Sequence, residues 1–333
     1  MQINDKVKVA VVIPCFNVAE SIERVIETIP VNIEKIICVN DCSSDKTEKI
    51  IKKIIKNNPR VFLVTHKKNQ GVGGAMKTGY TNALSFNLDI VVKIDGDGQM
   101  DPKFIPKLIK PIICNQADYT KGNRFFDLES IKPMPIVRII GNAGLSFFSK
   151  LSTGYWSLFD PTNGFTAISV STLKHIPLSK LSDNYFFESD LLFRLSTIRA
   201  KSTDIPMMAI YGNEKSNLNS FNSLVTFPIL HLRNFIKRII YNYFLRNFSI
   251  ASVNFALGIL LITFGGWYGF HNWLDAYIAN TTTPAGVVML AALPIILGSQ
   301  ALLSFLSFDI ANEPSQPISE NIKTDYILNN FDL

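Results

Sequence analysis

The feature that most constrains the fold is a regular alternation of strand and helix patterns over residues 7–110. Short apolar runs predict buried strands, and between them apolar residues recur at helical spacing. The predicted strands are Val7–Ile13, Ile33–Val39, Val61–Thr65 and Val91–Ile94, and the predicted helices are Ala19–Ile29, the stretch around Ile50–Ile55, and Gly71–Asn87. Because parallel strands need crossover connections, this alternation predicts an α/β fold with a doubly wound, mostly parallel sheet.

Three polar loops follow strands of this predicted sheet and should converge at one edge. They are Pro14–Asn17, Asn40–Asp45 and Asp95–Gln99. In the third loop, Asp95 and Asp97 come directly after an apolar run, and each is followed by a glycine. Ligands bind at the carboxyl ends of strands in open α/β sheets, and carboxylates suit Mg²⁺ or Mn²⁺. An Asp-Gly turn closing a hairpin is the alternative interpretation.

The 333-residue chain is 47% apolar, and the apolar surplus lies after about residue 248, in two long stretches with almost no charge. Ile250–Phe270 and Ala285–Phe308 each approach the roughly 20 apolar residues that cross a bilayer. The loop between them, His271–Pro284, has no Lys or Arg, whereas the segment before the first span is rich in both. The positive-inside rule therefore predicts that the large domain and the carboxyl-terminal tail are cytoplasmic. Buried core helices are the alternative.

The segment Leu224–Arg246 is amphipathic and basic. Such a helix is expected to lie in a membrane interface with its apolar side down. Packing on the soluble core is the alternative. The sequence thus predicts a catalytic domain over 1–223, a juxtamembrane helix over 224–247, a two-helix transmembrane region over 248–310 and a polar tail over 311–333.

The net charge of +6 suits nucleic acid, a membrane surface or phosphorylated ligands. No nucleic-acid-binding pattern occurs, and the basic residues near the apolar stretches favour the membrane. The four cysteines lack metal-ligand spacing and are expected to be reduced thiols; they are Cys15, Cys38, Cys42 and Cys114.

Several segments together resemble the inverting family 2 glycosyltransferases. Val11–Glu20 is similar to their opening strand and loop, and Asn40–Thr47 resembles their DDGSSDGT loop, from which Asn40 and Cys42 depart. The other similar segments are the glycine-rich turn Asn69–Ala75, the DxD run Asp95–Gln99, Gly122–Arg124, Asp160–Phe165 and Tyr211–Ser216. The resemblance covers about residues 7–217. Gln99 is typical of the dolichyl-phosphate mannose synthase branch, and the two apolar spans resemble those of bacterial polyprenyl-phosphate glycosyltransferases.

This resemblance implies a GT-A fold and an inverting, metal-dependent hexosyltransferase. The implied donor is a nucleotide sugar, with a UDP-sugar favoured over GDP-mannose, and the implied acceptor is undecaprenyl or dolichyl phosphate. The implied cofactor is Mg²⁺ or Mn²⁺. The resemblance places a multi-pass protein in the inner membrane, with its catalytic domain in the cytoplasm. The lipid bilayer is an expected partner, nucleic acid is not expected to be one, and a homo-oligomer is left open.

The resemblance also implies roles for individual residues. Those expected to bind the nucleotide sugar are Pro14, Phe16, Asn17, Glu20, Asp41, Gly74, Asp95 and Lys215. Those expected to hold the metal are Asp95, Asp97 and Gln99. The expected catalytic residues are Asp97, Asp160, Arg124 and Arg138, of which the two arginines bind the acceptor phosphate, since guanidinium recognises phosphate bidentately.

Purely structural roles are the alternatives for some of these residues. Asn17 could start a helix, Asp41 could cap a turn, and Arg138 could form a surface salt bridge. Asp160 is expected to be an orienting group or a weak base near the nucleophile. Glu188 and Asp190 are further candidates for that role, or for helix capping and salt bridges.

Two other functions remain as rivals. In the first, the enzyme extends a lipid-linked glycan by attack from a sugar hydroxyl, which requires a true general base. In the second, the chain is a catalytically silent membrane scaffold that kept the fold. The Asp95/Asp97 pair argues against the scaffold, and the lack of a QxxRW element argues against a polymer-forming synthase.

Overall fold

The structure, a computed structural model, describes residues 7–126, 136–160, 163–207 and 220–319. The chain forms two compact units. The first contains the residues up to Phe235 together with those from Pro314 onward, and the second is Ile236–Glu313. The chain therefore returns to the first unit after the apolar helices. The predicted domain boundaries remain predictions.

A seven-stranded mixed sheet forms the centre of the first unit, in the order β3-β2-β1-β4-β6-β5-β7. Its strands are β1 (Val9–Cys15), β2 (Lys35–Asn40), β3 (Val61–Thr65), β4 (Ile90–Lys93), β5 (Tyr119–Asn123), β6 (Thr166–Ser169) and β7 (Ser202–Pro206). β1 to β4 are parallel, β6 is antiparallel to both neighbours, and β7 is parallel to β5. The predicted doubly wound, mostly parallel sheet is confirmed.

Ten α-helices are described in the two units. They are α1 (Ile22–Thr28), α2 (Thr47–Ile55), α3 (Gly71–Ser85), α4 (Ile105–Ile113), α5 (Ile136–Thr153), α6 (Val170–Leu173), α7 (Phe187–Thr197), α8 (Ser220–Ile239), α9 (Ile250–Ile278) and α10 (Ala285–Ala311). Short 3₁₀ helices cover Pro102–Phe104 and Leu178–Lys180, and a π-helix covers Ile240–Arg246.

Both faces of the sheet are buried, as the continuous apolar runs require. Along β1, Val12 belongs to a core cluster with residues of α3 and α7, whereas Val11 belongs to a second cluster with residues of α1 and α4. α3 approaches β1 closely at Gly79, where a Cβ would lie 2.3 Å from Val12 Cγ1. This packing holds the carboxyl ends of the strands, and the loops that follow them, in fixed positions.

In the second unit, α9 and α10 are each long and apolar enough to cross a membrane, with mean hydropathies of 1.7 and 2.1. They contact one another where glycines remove side-chain bulk: a Cβ on Gly258 would lie 2.7 Å from Leu302, and one on Gly298 would lie 2.8 Å from Ile262. Their apolar windows are mostly exposed rather than buried. That exposure disfavours the alternative of buried core helices.

A buried ion pair also stabilises the second unit. The Arg238 guanidinium donates to both carboxylate oxygens of Asp309, at 2.6 and 2.9 Å. The Tyr243 hydroxyl donates to the same carboxylate at 2.5 Å. Arg238 and Asp309 are both buried, so the end of α8 is fixed to the end of α10.

One side of α8 packs on the soluble core, as the alternative interpretation of its pattern allowed. The Phe227 ring lies 5.5 Å from the Phe186 ring, and Asn234 Nδ2 donates to Asp190 Oδ1 at 3.2 Å. Ile229 and Leu232 are exposed on this helix. That they contact a membrane interface remains a prediction.

Candidate active site

The loops after β1 and β2 are joined by hydrogen bonds. Asn17 adopts a φ of +54°, a region that asparagine tolerates better than most residues. Its Oδ1 accepts from the Ser44 amide at 2.9 Å, and its own amide donates to Ser43 Oγ at 3.0 Å. The Ala19 amide donates to Asp45 Oδ2 at 3.0 Å. The structure therefore brings two of the three predicted loops together, with Asn17 as a structural link between them.

The exposed residues of the first loop stand at the same edge. Phe16 is 45% exposed, so one part of its ring is free to stack on a nucleotide base. Pro14 is half-buried and Glu20 is exposed. Their contacts with a donor remain predictions.

Asp41 is buried and holds the start of α3. Its two oxygens accept from the Gln70 and Gly71 amides, each at 2.8 Å. His66 Nδ1 lies 2.7 Å from Asp41 Oδ1, and Thr78 Oγ1 lies 2.9 Å from His66 Nε2. The turn-capping role considered for Asp41 is therefore present, whereas its contact with a base remains a prediction. His66 carried no sequence signal, because its partners are distant in the chain.

The glycine-rich turn at the start of α3 lies against a second backbone segment. A Cβ on Gly73 would lie 2.1 Å from the Ser182 carbonyl oxygen. The Gly74 amide donates to the Asp183 carbonyl at 3.1 Å. Only glycine permits this approach of the two backbones at Gly73. Contact of Gly74 with the donor remains a prediction.

Asp95 and Asp97 follow β4, as predicted. The Ser21 hydroxyl donates to the Gly96 carbonyl at 2.7 Å and fixes the turn between them. Asp97 Oδ1 accepts from the Gln99 amide at 3.0 Å. The neighbours of β4 are β1 and β6, not the next strand in sequence. The hairpin alternative is therefore wrong for this turn.

The donors at this turn fit a hard divalent cation. Among the described residues there is no group of three or more His, Cys, Asp or Glu that could hold a metal. Asp95 and Asp97 thus offer two carboxylates, and Gln99 is an exposed amide beside them. Mg²⁺ usually keeps several waters and substrate phosphate oxygens and takes only one or two protein carboxylates. The set fits an ion shared with a diphosphate better than a closed protein cage.

Lys93 is a residue of this site that the sequence analysis missed. Its side chain is 2% exposed, and its ammonium lies 3.0 Å from Asp95 Oδ1 and 2.7 Å from Glu188 Oε1. Burial alone would lower the pKa of Lys93, but Asp95 and Glu188 raise it above its ordinary value. The sequence did contain one signal that could have identified Lys93, namely a charged residue inside an apolar strand. A lysine at such a position is buried, and a buried lysine needs a partner of opposite charge.

A polar row crosses four strands beside these residues. Lys93 of β4 is in register with Thr166 of β6, Thr166 with Lys121 of β5, and Lys121 with Asp204 of β7. The fully buried Lys121 ammonium lies 3.3 Å from Asp204 Oδ1 and donates to the Asp160 carbonyl at 2.7 Å. Burial raises the pKa of Asp204. The row connects the strand ends that carry the predicted catalytic residues.

Arg124 and Asp160 form a bidentate pair at the end of β5. Arg124 Nε and Nη2 donate to the two oxygens of Asp160, each at 2.7 Å. Asp160 is fully buried and has a φ of +51°. Burial alone would raise its pKa, but the hydrogen bonds and charge of Arg124, with the charge of Lys121, hold the pKa of Asp160 below its usual range. This geometry favours an orienting role for Asp160 over the weak-base role.

Four other residues were predicted to take part in catalysis or binding, and the structure describes the side chains of two of them. Glu188 is paired with Lys93, and Asp190 Oδ2 accepts from the Ser182 amide at 3.1 Å. Arg138 lies in α5, but its side chain is outside the described residues. Lys215 and the segment Tyr211–Ser216 also lie outside the described residues.

The mixed sheet with its crossover helices is a GT-A fold. The same fold is found in glucosyl-3-phosphoglycerate synthase from Mycobacterium tuberculosis, with a TM-score of 0.50 and 20% identity, over 69% of this chain and 79% of that one. The chain belongs to glycosyl transferase family 2, whose family model matches residues 10–176. The family predicted from the motifs is confirmed.

Two relatives extend the comparison beyond the family model. The UDP-N-acetylglucosamine–dolichyl-phosphate N-acetylglucosaminyltransferase of Methanococcus voltae is 32% identical over 233 residues, covering 66% of this chain and 92% of that protein. The undecaprenyl-phosphate mannosyltransferase of Micrococcus luteus is 26% identical over 205 residues, covering 60% and 82% respectively. Each alignment thus covers most of the length of the relative.

Proposed function

We propose that this glycosyltransferase moves a hexose from a nucleotide sugar to a polyprenyl phosphate, with inversion and with the help of a divalent metal. The acceptor class is supported by the two relatives, whose names specify dolichyl and undecaprenyl phosphate. A UDP-sugar is favoured over GDP-mannose, because the relative with the higher identity is named for a UDP donor. We further propose that the catalytic domain lies at the cytoplasmic face of the membrane.

The observation that carries the proposal is that two carboxylates and a guanidinium group lie at the same edge of the sheet. Asp95 and Asp97 follow β4, and Arg124 is fixed by Asp160 at the end of β5. The polar row through Lys93 and Lys121 lies between these two ends. A carboxylate pair for a cation with its diphosphate, next to a guanidinium for a phosphate, suits a reaction that brings two phosphate groups together.

We assign the donor diphosphate to the carboxylate side of this site. Asp95 and Asp97, with a weaker contribution from the neutral amide oxygen of Gln99, would hold Mg²⁺ or Mn²⁺ against the donor diphosphate. When bound, such a cation stabilises the negative charge that develops on the leaving nucleoside diphosphate. Lys93 orients Asp95 through their ion pair.

A phosphate acceptor also agrees with the state of the candidate bases. Asp160 is bound by Arg124, Glu188 by Lys93, and Asp190 by backbone and amide donors. A phosphate monoester is largely ionised at neutral pH, since its second pKa is about 6, and it is already a nucleophile. A sugar hydroxyl needs a free general base. The engaged carboxylates therefore support the lipid phosphate over the glycan hydroxyl.

The membrane part of the proposal rests on α9 and α10. Both meet the length and apolarity of a membrane span, and the loop between them, 279–284, contains no charged residue. A hairpin inserted with this loop outside would leave the catalytic unit on the cytoplasmic side, where nucleotide sugars are found. The proposed location is the inner membrane.

The decisive experiment measures transfer of radiolabelled sugar from a panel of UDP- and GDP-sugars to undecaprenyl phosphate. Purified protein in detergent is assayed with Mn²⁺, with Mg²⁺ and with chelator. We expect a lipid product that falls about a hundredfold or more with chelator or with Asp97→Asn, because metal-centred charge stabilisation is worth several kcal/mol. Asp101→Asn is the matched control, since Asp101 is a neighbouring carboxylate that caps the Lys103 amide at 2.9 Å.

The outcomes separate the rival functions. A metal-dependent lipid product identifies the donor and the sugar together. Metal-dependent hydrolysis of the donor with no lipid product would contradict the lipid acceptor and favour a glycan hydroxyl. If the unmodified protein shows neither transfer nor hydrolysis, the proposed enzymatic function is contradicted and the catalytically silent scaffold is favoured.

A further inference from the structure

Asp118, immediately before β5, is a fully buried carboxylate with four hydrogen-bond donors. Two donors come from the body of the first unit: Thr172 Oγ1 donates to Oδ1 at 3.1 Å, and the Lys201 amide donates to Oδ2 at 2.8 Å. The other two come from the chain that follows α10. The Ser319 amide donates to Oδ1 at 3.1 Å and the Ile318 amide to Oδ2 at 2.8 Å.

Each oxygen of Asp118 thus has one donor from the body and one from the returning chain. A buried ionised carboxylate is stable only when its oxygens are well supplied with donors. The returning segment therefore supplies half of what this carboxylate needs. The arrangement differs from a surface contact, where water would replace a missing partner.

Apolar contacts accompany these hydrogen bonds. Pro317 is buried, and Ile318 packs against the core cluster that includes residues of α7. Asp118 and Lys201 stand next to the amino ends of β5 and β7, whereas the candidate active site lies at the opposite ends of these strands. The contact is separate from the catalytic residues and is not explained by the chemistry of transfer.

We infer that the amino ends of β5 and β7 form a docking site for residues 314–319, and that both ends of the α9–α10 hairpin consequently lie on one face of the membrane. The chain leaves the first unit after Phe235 and rejoins it at Pro314. A folded unit cannot be built from both sides of a bilayer. The second half of this inference rests on the membrane insertion in the proposed function, whereas the docking half does not.

Hydrogen exchange tests the docking without any variant. In the full-length protein in detergent, the amides of Ile318 and Ser319 should be protected. Exchange at the rate of an unfolded peptide would overturn the inference. This measurement stands even if substitutions at Asp118 prevent folding.

A pair of matched substitutions tests the role of the carboxylate. Asp118→Ala should speed exchange at Ile318 and Ser319 about tenfold or more, since both amides lose their hydrogen-bond acceptor. Asp89→Ala is the control, because Asp89 also precedes a strand and accepts a backbone amide, that of Lys8 at 2.8 Å. Equal exchange in a folded Asp118→Ala protein would contradict the assignment.

Thiol labelling with a membrane-impermeant maleimide tests the topology in vesicles of known orientation. The native exposed thiol of Cys114 reports on the catalytic unit in a Cys42→Ser background. Ser315→Cys and Thr282→Cys report on the returning segment and on the α9–α10 loop, each with Cys42 and Cys114 replaced by serine. We expect Ser315→Cys to label from the same side as Cys114, and Thr282→Cys from the other side.

The outcomes assign failure to one half of the inference or to the proposed membrane insertion. Labelling of Ser315→Cys from the side of Thr282→Cys overturns the common face. Release of the protein from vesicles at alkaline pH contradicts membrane insertion, and with it the common face, but the exchange of Ile318 and Ser319 still decides the docking. Transfer activity is not used as a readout, so loss of the proposed reaction leaves both halves to be judged.

Discussion

At the scale of single residues, the Arg124–Asp160 pair has the clearest consequence. Two parallel hydrogen bonds fix the guanidinium plane, and the lowered pKa of Asp160 keeps the carboxylate ionised. A depressed carboxylate pKa contributes stability above the ordinary aspartate value and loses it as pH falls through the lowered value. The pair should therefore be intact throughout pH 5–8.

Substitution Arg124→Lys keeps the charge but removes the fork. We expect transfer to fall about tenfold or more, with a raised KM for polyprenyl phosphate, because an ammonium cannot reproduce the two parallel hydrogen bonds to Asp160 that hold the cationic group in place for the phosphate. Steady-state kinetics against acceptor concentration measure this. Arg60→Lys is the control, since Arg60 donates to the Pro30 carbonyl at 2.9 Å and should leave the acceptor KM unchanged. An unchanged acceptor KM in Arg124→Lys would argue against phosphate binding by Arg124.

The buried Lys93 should be sensitive to loss of its charge. Lys93→Met leaves Glu188 without its cation next to Asp95, and breaking a buried pair costs about 3–5 kcal/mol. The double variant Lys93→Met/Glu188→Gln should recover part of that loss, because no unpaired buried charge remains at Glu188. Denaturant unfolding of the detergent-solubilised protein compares the two. A single variant as stable as the unmodified protein would contradict the assigned pairing.

At the scale of helices and strands, α8 carries a histidine whose environment opposes its charge. His231 packs on the Phe186 ring at 4.9 Å, and its Nδ1 lies 2.8 Å from Ser152 Oγ. Burial lowers the pKa of His231 to about 4 from the ordinary 6.5. Neutral His231 is thus part of the contact between α8 and the catalytic unit.

The sign of this shift gives a pH prediction. The unfolded chain binds a proton below about pH 6.5, whereas folded His231 does not until about pH 4. The free energy of unfolding should therefore decrease as the pH is lowered from about 6.5 to about 4. The decrease is about 3 kcal/mol at most, at 1.36 kcal/mol per pKa unit. Unfolding measured at several pH values checks this, and His231→Gln should flatten the slope. His175→Gln is the control, because His175 is exposed.

Sequence patterns predicted the elements whose evidence is local. The first four strands and the helices between them were found because each has its own apolar periodicity, and Val61–Thr65 was found to the residue. The antiparallel β6 was not predicted, because its four residues carry no signal of direction and depend on pairing with β4 and β5. The two long apolar helices were found because composition alone identifies them, although α9 runs further than predicted.

The site was predictable only where a motif names the residue. The motifs name Asp95, Asp97, Arg124 and Asp160 as candidates, whose roles remain predictions, but the hydrogen bond between Arg124 and Asp160 joins residues 36 apart. Lys93 and Glu188 are 95 residues apart. Such contacts depend on the completed sheet, and a single sequence contains no measure of them. The polar row from Lys93 to Asp204 was missed for the same reason.

At the scale of the whole molecule, the second unit depends on the Arg238–Asp309 pair. Asp309→Leu should destabilise it by about 3–5 kcal/mol, because Arg238 is then buried without its carboxylate. Arg238→Met/Asp309→Leu should recover most of the loss. Thermal unfolding in detergent measures both, with Asp275→Leu as the control, since Asp275 contacts His271 at an exposed position. Equal loss in the single and double variants would mean that packing, not charge, dominates.

The return of the chain to Asp118 has a consequence for the order of assembly. Translation makes Asp118 long before Ile318, and both apolar helices are synthesised between them. The sheet can therefore form early, but the buried carboxylate of Asp118 acquires all four donors only after the hairpin has been made. Closure of this contact then requires that the chain beyond the hairpin has already been made. A chain arrested before that point would leave Asp118 with only the donors of Thr172 and Lys201.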